Sequence, residues 1–198
     1  MKEYLEKILQ AQVYEVAKIT PLEKAKNLSN TFKNKIYLKR EDLQDVFSFK
    51  IRGAYNKMRQ LTKEQLSKGV ITSSAGNHAQ GVALSALKLN CEATILMPIT
   101  TPLVKINAVK NLKAKVILFG DNYDDTYKEA IRLSEENKLC FIHPFDDPDV
   151  IAGQGTIAIE LEQQLKEPPY AIYVAVGGGG LISGISIYIK NIWPEVKI

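Results

Sequence analysis

Histidine and cysteine are scarce in this chain, with two of each among 198 residues. His78, His143, Cys91 and Cys140 fall into no His/Cys/Asp/Glu set with metal-ligand spacing, so no metal site is expected. The two cysteines read as buried free thiols of a reducing, cytoplasmic protein, with one disulfide between them as the alternative. Long apolar runs are missing as well. The longest are too short to span a bilayer, and Met1–Gln10 carries charges throughout instead of a signal-peptide core, so no membrane partner is expected. Charge of one sign is also not concentrated anywhere. The net charge is +4, but the basic residues are spread among acidic ones and do not interleave with aromatics, which argues against nucleic acid as a partner. What the chain does have is 45% hydrophobic residues, enough to bury a core in one or two small domains and too many for disorder.

Short Ile/Val-rich runs alternate with longer helical stretches. Strands are expected at Ile36–Lys39, Gly69–Ser73, Ala93–Met97, Lys115–Phe119, Leu139–Ile142 and Tyr170–Val176. Helices are expected at Tyr4–Val13, Phe49–Leu61, Asn77–Leu89, Pro102–Asn111, Tyr123–Asn137, Ile151–Lys166 and Leu181–Asn191. The alternation predicts an α/β fold of open, mainly parallel sheets covered by helices. His143-Pro144-Phe145-Asp146-Asp147-Pro148 is the best candidate for a domain crossover. After Trp193-Pro194 the run Val196–Ile198 looks like the first residues of another strand, so the sequence reads as an N-terminal fragment of a longer protein.

Three segments carry chemistry. Gly177-Gly178-Gly179-Gly180-Leu181 stands between the strongest strand and a helix. Glycines there let the backbone approach a ligand, and the N–H groups and dipole of the next helix favour phosphate. The spacing fits neither Gly-x-Gly-x-x-Gly nor a nucleoside-triphosphate loop. Ser73-Ser74-Ala75-Gly76-Asn77-His78 is a second strand-to-helix turn. It either seats a carboxylate on its hydroxyls and N–H groups or is ordinary capping by Ser74 or Asn77. His78 in a helix's first turn reads as a structural hydrogen-bonder before it reads as a base. Lys50, in Ser48-Phe49-Lys50-Ile51-Arg52-Gly53-Ala54, has apolar neighbours. Desolvation there would lower its pKa and make its amine a nucleophile able to form a Schiff base. For any one lysine of a Lys-rich chain the wet face of a helix is the default reading, and the two turns change it. Gly153-Gln154-Gly155-Thr156 implies close packing or ligand proximity, Lys39-Arg40-Glu41-Asp42 a solvated or salt-bridged strand end, and His143 a loop residue.

A Schiff-base lysine, an oxyanion turn and a phosphate cradle are the set a phosphorylated aldehyde cofactor needs. These segments stand in the order seen in the fold-type II pyridoxal-phosphate enzymes. The sequence most resembles the threonine ammonia-lyase (threonine dehydratase, or deaminase) family of isoleucine biosynthesis. Val13-Tyr14-Glu15, Thr20-Pro21-Leu22 and Pro144-Phe145-Asp146 leading into Val150–Thr156 carry that finer likeness. The resemblance implies pyridoxal 5'-phosphate on Lys50, with Phe49 beside its ring and Asn77 on its ring oxygen. It implies that Gly177, Gly178, Gly179, Gly180 and Leu181 hold its phosphate, and that Ser74, Ala75, Gly76, Asn77 and His78 receive the carboxylate of L-threonine, or of L-serine. It also implies a homo-oligomer in the full-length protein. The domains it implies are a smaller α/β domain at 43–142 and a larger, incomplete one made of 1–42 and 143–198. A serine facing the cofactor's pyridine nitrogen in related enzymes would lie beyond Ile198, so this polypeptide alone is expected to be a poor catalyst. Serine dehydratase or serine racemase and a β-replacement synthase are the fold-mate alternatives. A non-catalytic fragment is the reading from another class.

Overall fold

The computed structural model describes residues 2–198; Met1, which the sequence reading placed in the larger domain, lies outside the described residues. The chain opens with α1 (Lys2–Leu9), then forms an antiparallel ribbon of β1 (Leu22–Lys24) and β2 (Tyr37–Lys39) around a short α2 (Lys26–Thr31). A 3-10 turn at Glu41–Leu43 leads to α3 (Lys50–Arg59) and α4 (Lys63–Lys68). Strands and helices then alternate as β3 (Val70–Ser73), α5 (Asn77–Leu89), β4 (Ala93–Met97), α6 (Leu103–Asn111), β5 (Lys115–Leu118), α7 (Tyr123–Asn137) and β6 (Cys140–Phe141). Two helices, α8 (Pro148–Gln164) and α9 (Gly180–Ile192), complete the described elements.

The main sheet is parallel throughout, in the order β5-β4-β3-β6. Side chains alternate across it, as the two-residue period of a strand requires. Val70, Ile95 and Met97 pack with Ala79, Val82, Ala83 and Ala86 of α5. Ile71 and Leu96 face the other way, toward Ala130 of α7. Both faces are therefore dry, which is why β3 and β4 show little polar alternation. Each fully buried Ile or Leu contributes about 1.5–3 kcal/mol over leaving it in water. A separate cluster joins Ile8 of α1 to Ala152, Ile157 and Leu161 of α8 and to Ile185 and Ile189 of α9.

The strand order reverses at β3, because β4 and β5 lie on one side and β6 returns on the other. In open α/β sheets the crevice outside the carboxyl ends of the strands at such a reversal is where ligands bind. Here those ends are Ser73 and Phe141, so the Ser74–His78 turn and the His143–Pro148 crossover meet there.

The expected α/β fold stands, with local differences. α1 runs Lys2–Leu9 where Tyr4–Val13 was expected, and β1 at Leu22–Lys24 was not expected. α8 starts at Pro148, not Ile151, because Asp147 caps it: its Oδ1 accepts from the N–H groups of Asp149 (2.8 Å) and Val150 (3.2 Å), with proline at the first helical position. Two six-residue helices, α2 and α4, were not foreseen. The expected strand at Tyr170–Val176 is reduced to one parallel bridge, Ala171 to Lys197. Its side chains still alternate as in a strand, with Ile172 and Val174 on the α8–α9 cluster and Tyr173 outward, but among the described residues only the Val196–Ile198 segment pairs with it.

Candidate active site

Four helices, α5, α3, α8 and α9, pack in a row through glycines, and this row sets the position of Lys50. A Cβ on Gly81 of α5 would stand 3.1 Å from the Lys50 carbonyl carbon. One on Gly153 of α8 would stand 2.6 Å from the Gly53 Cα of α3, and one on Gly184 of α9 would stand 2.7 Å from the Gly155 nitrogen of α8. Gln154 is buried in the same seam, where its Oε1 accepts from the Gly53 N–H at 3.2 Å. The Gly153–Thr156 segment is therefore packing material, one of the two roles its sequence allowed.

Lys50 is the first residue of α3 and its side chain is largely enclosed. Burial, with no acidic partner to oppose it, pushes its pKa below the ordinary lysine value. Its Nζ donates to the Pro144 carbonyl at 2.6 Å and lies 5.5 Å from the centre of the Phe49 ring. This is the desolvated amine the sequence suggested.

Two helix N-termini border the crevice without a side-chain cap. α5 begins after Gly76 and α9 after Gly179, and neither has a capping side chain. The capping expected from Ser74 instead serves the turn, its Oγ accepting from the Gly76 N–H at 3.2 Å, and Asn77 is exposed. Gly179 has φ +89°, a left-handed conformation that glycine adopts without strain. A Cβ on Gly76, Gly177 or Gly179 would meet nothing within 4 Å, so the backbone there is open to a ligand. Uncapped N–H groups with room in front suit a phosphate and a carboxylate. Together with the Lys50 amine, these residues fit a phosphorylated aldehyde.

The crossover Ile142–Phe145 ties the parts together. The Ile142 carbonyl accepts from Thr72 Oγ1 (2.8 Å) and His78 Nε2 (3.0 Å), the Pro144 carbonyl accepts from Lys50, and the Phe145 ring lies against Gly178. A Cβ on Gly180 would stand 2.6 Å from the Phe145 carbonyl oxygen. His78 is buried, and desolvation pushes its pKa down to about 3, so at neutral pH it is an uncharged ring that donates through Nε2. Such a ring carries no imidazolium proton to give as a general acid at neutral pH. His143, read from the sequence as a loop residue, lies near Lys50: the lysine's charge adds to desolvation in lowering its pKa. No sequence signal marked it beyond its place just after a strand end.

Behind Lys50 lies a buried ionic group that sequence reasoning missed. Arg52, wholly buried, spends its guanidinium on Glu41 (Nε to Oε2 and Nη2 to Oε1, both 2.8 Å), Glu160 (2.6 Å), Thr156 Oγ1 (3.1 Å) and the Lys18 carbonyl (3.2 Å). Lys39 Nζ meets Glu160 at 2.5 Å. Burial works against the Arg52 charge, but the two carboxylates more than offset it and raise its pKa. The Lys39–Asp42 segment is thus salt-bridged as expected, with Lys39 and Glu41 turned inward and Arg40 and Asp42 paired at the surface.

The family model described as pyridoxal-phosphate dependent enzyme matches residues 13–198. Over 196 residues, 99% of this chain, it is 60% identical to the biosynthetic, chloroplastic threonine dehydratase of Arabidopsis thaliana, of which it covers 33%. It is 54% identical to the biosynthetic L-threonine dehydratase of Burkholderia multivorans over 99% of this chain and 39% of the relative. Among solved structures, the processed form of threonine deaminase isoform 2 from Solanum lycopersicum superposes with a TM-score of 0.96 at 53% identity, over 100% of this chain and 54% of that one. Maize serine racemase superposes at 0.92 with 35% identity, over 97% of this chain and 59% of its own. The chain spans about a third of the length of the curated relatives it matches.

Proposed function

Because the chain belongs to the family of pyridoxal-phosphate-dependent enzymes, we propose that the protein is a threonine ammonia-lyase, converting L-threonine to 2-oxobutanoate and ammonia at the start of isoleucine biosynthesis. The observation that carries the proposal is the desolvated Lys50 amine at the reversal point of the sheet, held on the Pro144 carbonyl between two uncapped helix starts.

Lys50 would hold the cofactor's aldehyde carbon, Phe49 would flank its ring and Asn77 would bond the ring oxygen. Gly177 to Leu181 would hold the phosphate on backbone N–H groups. Pyridoxal phosphate, when bound, supplies the electron sink that makes the α-carbon of an amino acid acidic. The Ser74–His78 turn orients the substrate by its carboxylate. The Lys50 amine would serve as the base that takes the α-proton. The β-carbon–oxygen bond then breaks and the hydroxyl leaves as water with a proton. The released enamine tautomerises and takes back a water to give 2-oxobutanoate and ammonia, so no oxidant is consumed.

The same proposal divides the chain into a smaller domain at 43–142 and a larger one made of 1–42 and 143–198. The β3–β4 and α8–α9 clusters lie on either side of that division and support it, while α3 packs across it on α8. A homo-oligomer belongs to the proposal through the family resemblance. Placement in the cytoplasm rests on the two free thiols, Cys91 and Cys140, which suit a reducing compartment.

The test is the absorbance of the protein mixed with pyridoxal phosphate, alongside product formation from threonine. A Schiff-base band is expected in the parent and not in Lys50→Ala; a band of equal strength in both would remove Lys50 from the role. The likeness to maize serine racemase supports one second reading, a serine-directed enzyme of the same fold. Turnover of serine ahead of threonine and O-acetylserine would favour it.

A further inference from the structure

His143 lies outside every motif that announced the site, yet its ring fixes the turn that touches both the Lys50 amine and the glycine loop. Its Nδ1 accepts from the N–H of Phe145 at 3.2 Å and from the N–H of Asp146 at 2.7 Å. An imidazole nitrogen that accepts carries no proton, so His143 is the neutral tautomer with its hydrogen on Nε2. Those two bonds close the Pro144–Asp146 turn. The turn aims the Pro144 carbonyl at Lys50 Nζ, 2.6 Å away, and presses the Phe145 ring and carbonyl against Gly178 and Gly180. The ring is itself held edge-on between Phe145 (4.7 Å between centroids), Phe141 (6.1 Å) and Tyr127 (6.3 Å).

We propose that His143 is a positioning residue: its Nδ1 lone pair pins the crossover turn and thereby keeps the Lys50 amine and the phosphate-binding glycines in register. This deepens the cofactor-site reading and rests on it. Protonation at Nδ1 would convert the acceptor to a donor facing two donors, and the turn would be released. The groups facing the ring are Lys50 from α3, His78 from α5, Tyr127 from α7, and Asp146 and Asp147 from its own turn; Lys57 pairs with Asp147 at 2.8 Å. Burial and Lys50 disfavour the imidazolium, while the two aspartates favour it, and the balance lies below the ordinary histidine value. The pin therefore holds at neutral pH and is lost on acidification.

The experiment has two readouts. The first is nitrogen-15 NMR of the protein labelled in its two histidines, which gives the tautomer of His143 without any cofactor. An Nε2–H tautomer with a midpoint below about 6.5 is expected; an Nδ1–H tautomer overturns the proposal. The second is pyridoxal phosphate affinity against pH for the parent, His143→Ala and His143→Asn. Asparagine's side-chain oxygen can accept from N–H groups two residues on and does not titrate. His143→Ala should bind about tenfold more weakly, the equivalent of about 1.4 kcal/mol. His143→Asn should stay within about threefold of the parent, and the fall in affinity below pH 6.5 should vanish. Parent-like affinity and pH dependence in His143→Ala, or an Asn variant as weak as the Ala variant, overturns the acceptor role. Absence of cofactor binding in the parent would sink the cofactor site itself, and the tautomer would then decide the proposal on its own.

Discussion

Arg52→Met tests how the site is anchored, because Arg52 stands two residues beyond Lys50 in α3 and its side chain ties that helix to the Glu41–Leu43 turn and α8. Methionine keeps the volume of the arginine stem and removes the charge and all the N–H donors. Glu160 is fully buried, so its carboxylate cannot recover its lost partner from water. Breaking a buried pair from one side costs about 3–5 kcal/mol. Two features place this case at the lower end. Lys39 still holds Glu160 at 2.5 Å, and Glu41 keeps the Thr20 hydroxyl at 2.5 Å and is partly open to solvent. An expected loss of about 3 kcal/mol follows, or roughly 6–12 °C in Tm for a chain of this size. Urea unfolding of the parent, Arg52→Met, Glu160→Gln and the double variant measures it. The double variant carries no unmatched charge, since Lys39 and Glu41 remain as one cation and one anion. It should be more stable than additivity predicts by about 2 kcal/mol. A loss under about 1 kcal/mol for Arg52→Met, or strictly additive effects, would refute the idea that the network is a closed, balanced set.

Stability should also fall with acid through His78. Its folded pKa of about 3 lies below the unfolded value near 6.5, so between those limits the unfolded chain takes up a proton that the folded chain refuses. The loss should begin as pH drops below about 6.5, steepen to about 1.4 kcal/mol per unit and level off near pH 3, on the order of 4–5 kcal/mol in all. Denaturation at stepped pH values should show this component in the parent and not in His78→Gln; an unchanged profile in the variant would assign the acid sensitivity elsewhere. At the glycines, Gly153→Ala forces a methyl against Gly53 and should cost at least about 1–3 kcal/mol of stability, whereas Gly177→Ala meets nothing within 4 Å and should leave thermal stability alone while weakening cofactor binding. Equal losses of stability in the two variants would contradict the packing assignment.

Sequence legibility divided along a physical line. α5, α7 and β4 coincide with their expected limits because their signals are local. For α7, Asn122 caps the start, its side-chain oxygen accepting from the Asp125 N–H at 3.0 Å, and Lys138 turns left-handed to end the helix. α4 was also locally marked, by the reciprocal Thr62–Gln65 capping box, and that signal was passed over because a six-residue helix carries little periodicity. Tyr170–Val176 failed differently: alternation describes one segment, but a strand is a pairing and needs a neighbour along its length. Arg52 could not have been read locally, and His143, though its partners are local, carries no usual turn signal. The partners of Arg52 come from residues 41 and 160, and histidine is not among the residues that usually accept turn N–H groups. The desolvation of Lys50 was legible because its apolar sequence context is visible in the chain.

Of the four glycine-packed helices, α8 alone has a capping side chain at its start, and α3 follows Phe49 with none. An N-cap side chain contributes about 1 kcal/mol to a helix. α8, which packs between α3 and α9, has that contribution from Asp147. α5 and α9, whose starts border the crevice, have glycine in the same position and no capping side chain. A serine or aspartate at Gly179 would meet no steric obstacle from neighbouring atoms, although φ +89° would strain it. Such a residue would turn the first N–H groups of α9 inward to the protein's own oxygen. Leaving them open makes sense if an external anion completes the helix in the working protein. The glycines along the row serve the same end from the other side. By letting α5, α3, α8 and α9 approach closely, they bring two open helix starts and the Lys50 amine to the same edge of the sheet, where no single helix could supply both the charge and the nucleophile.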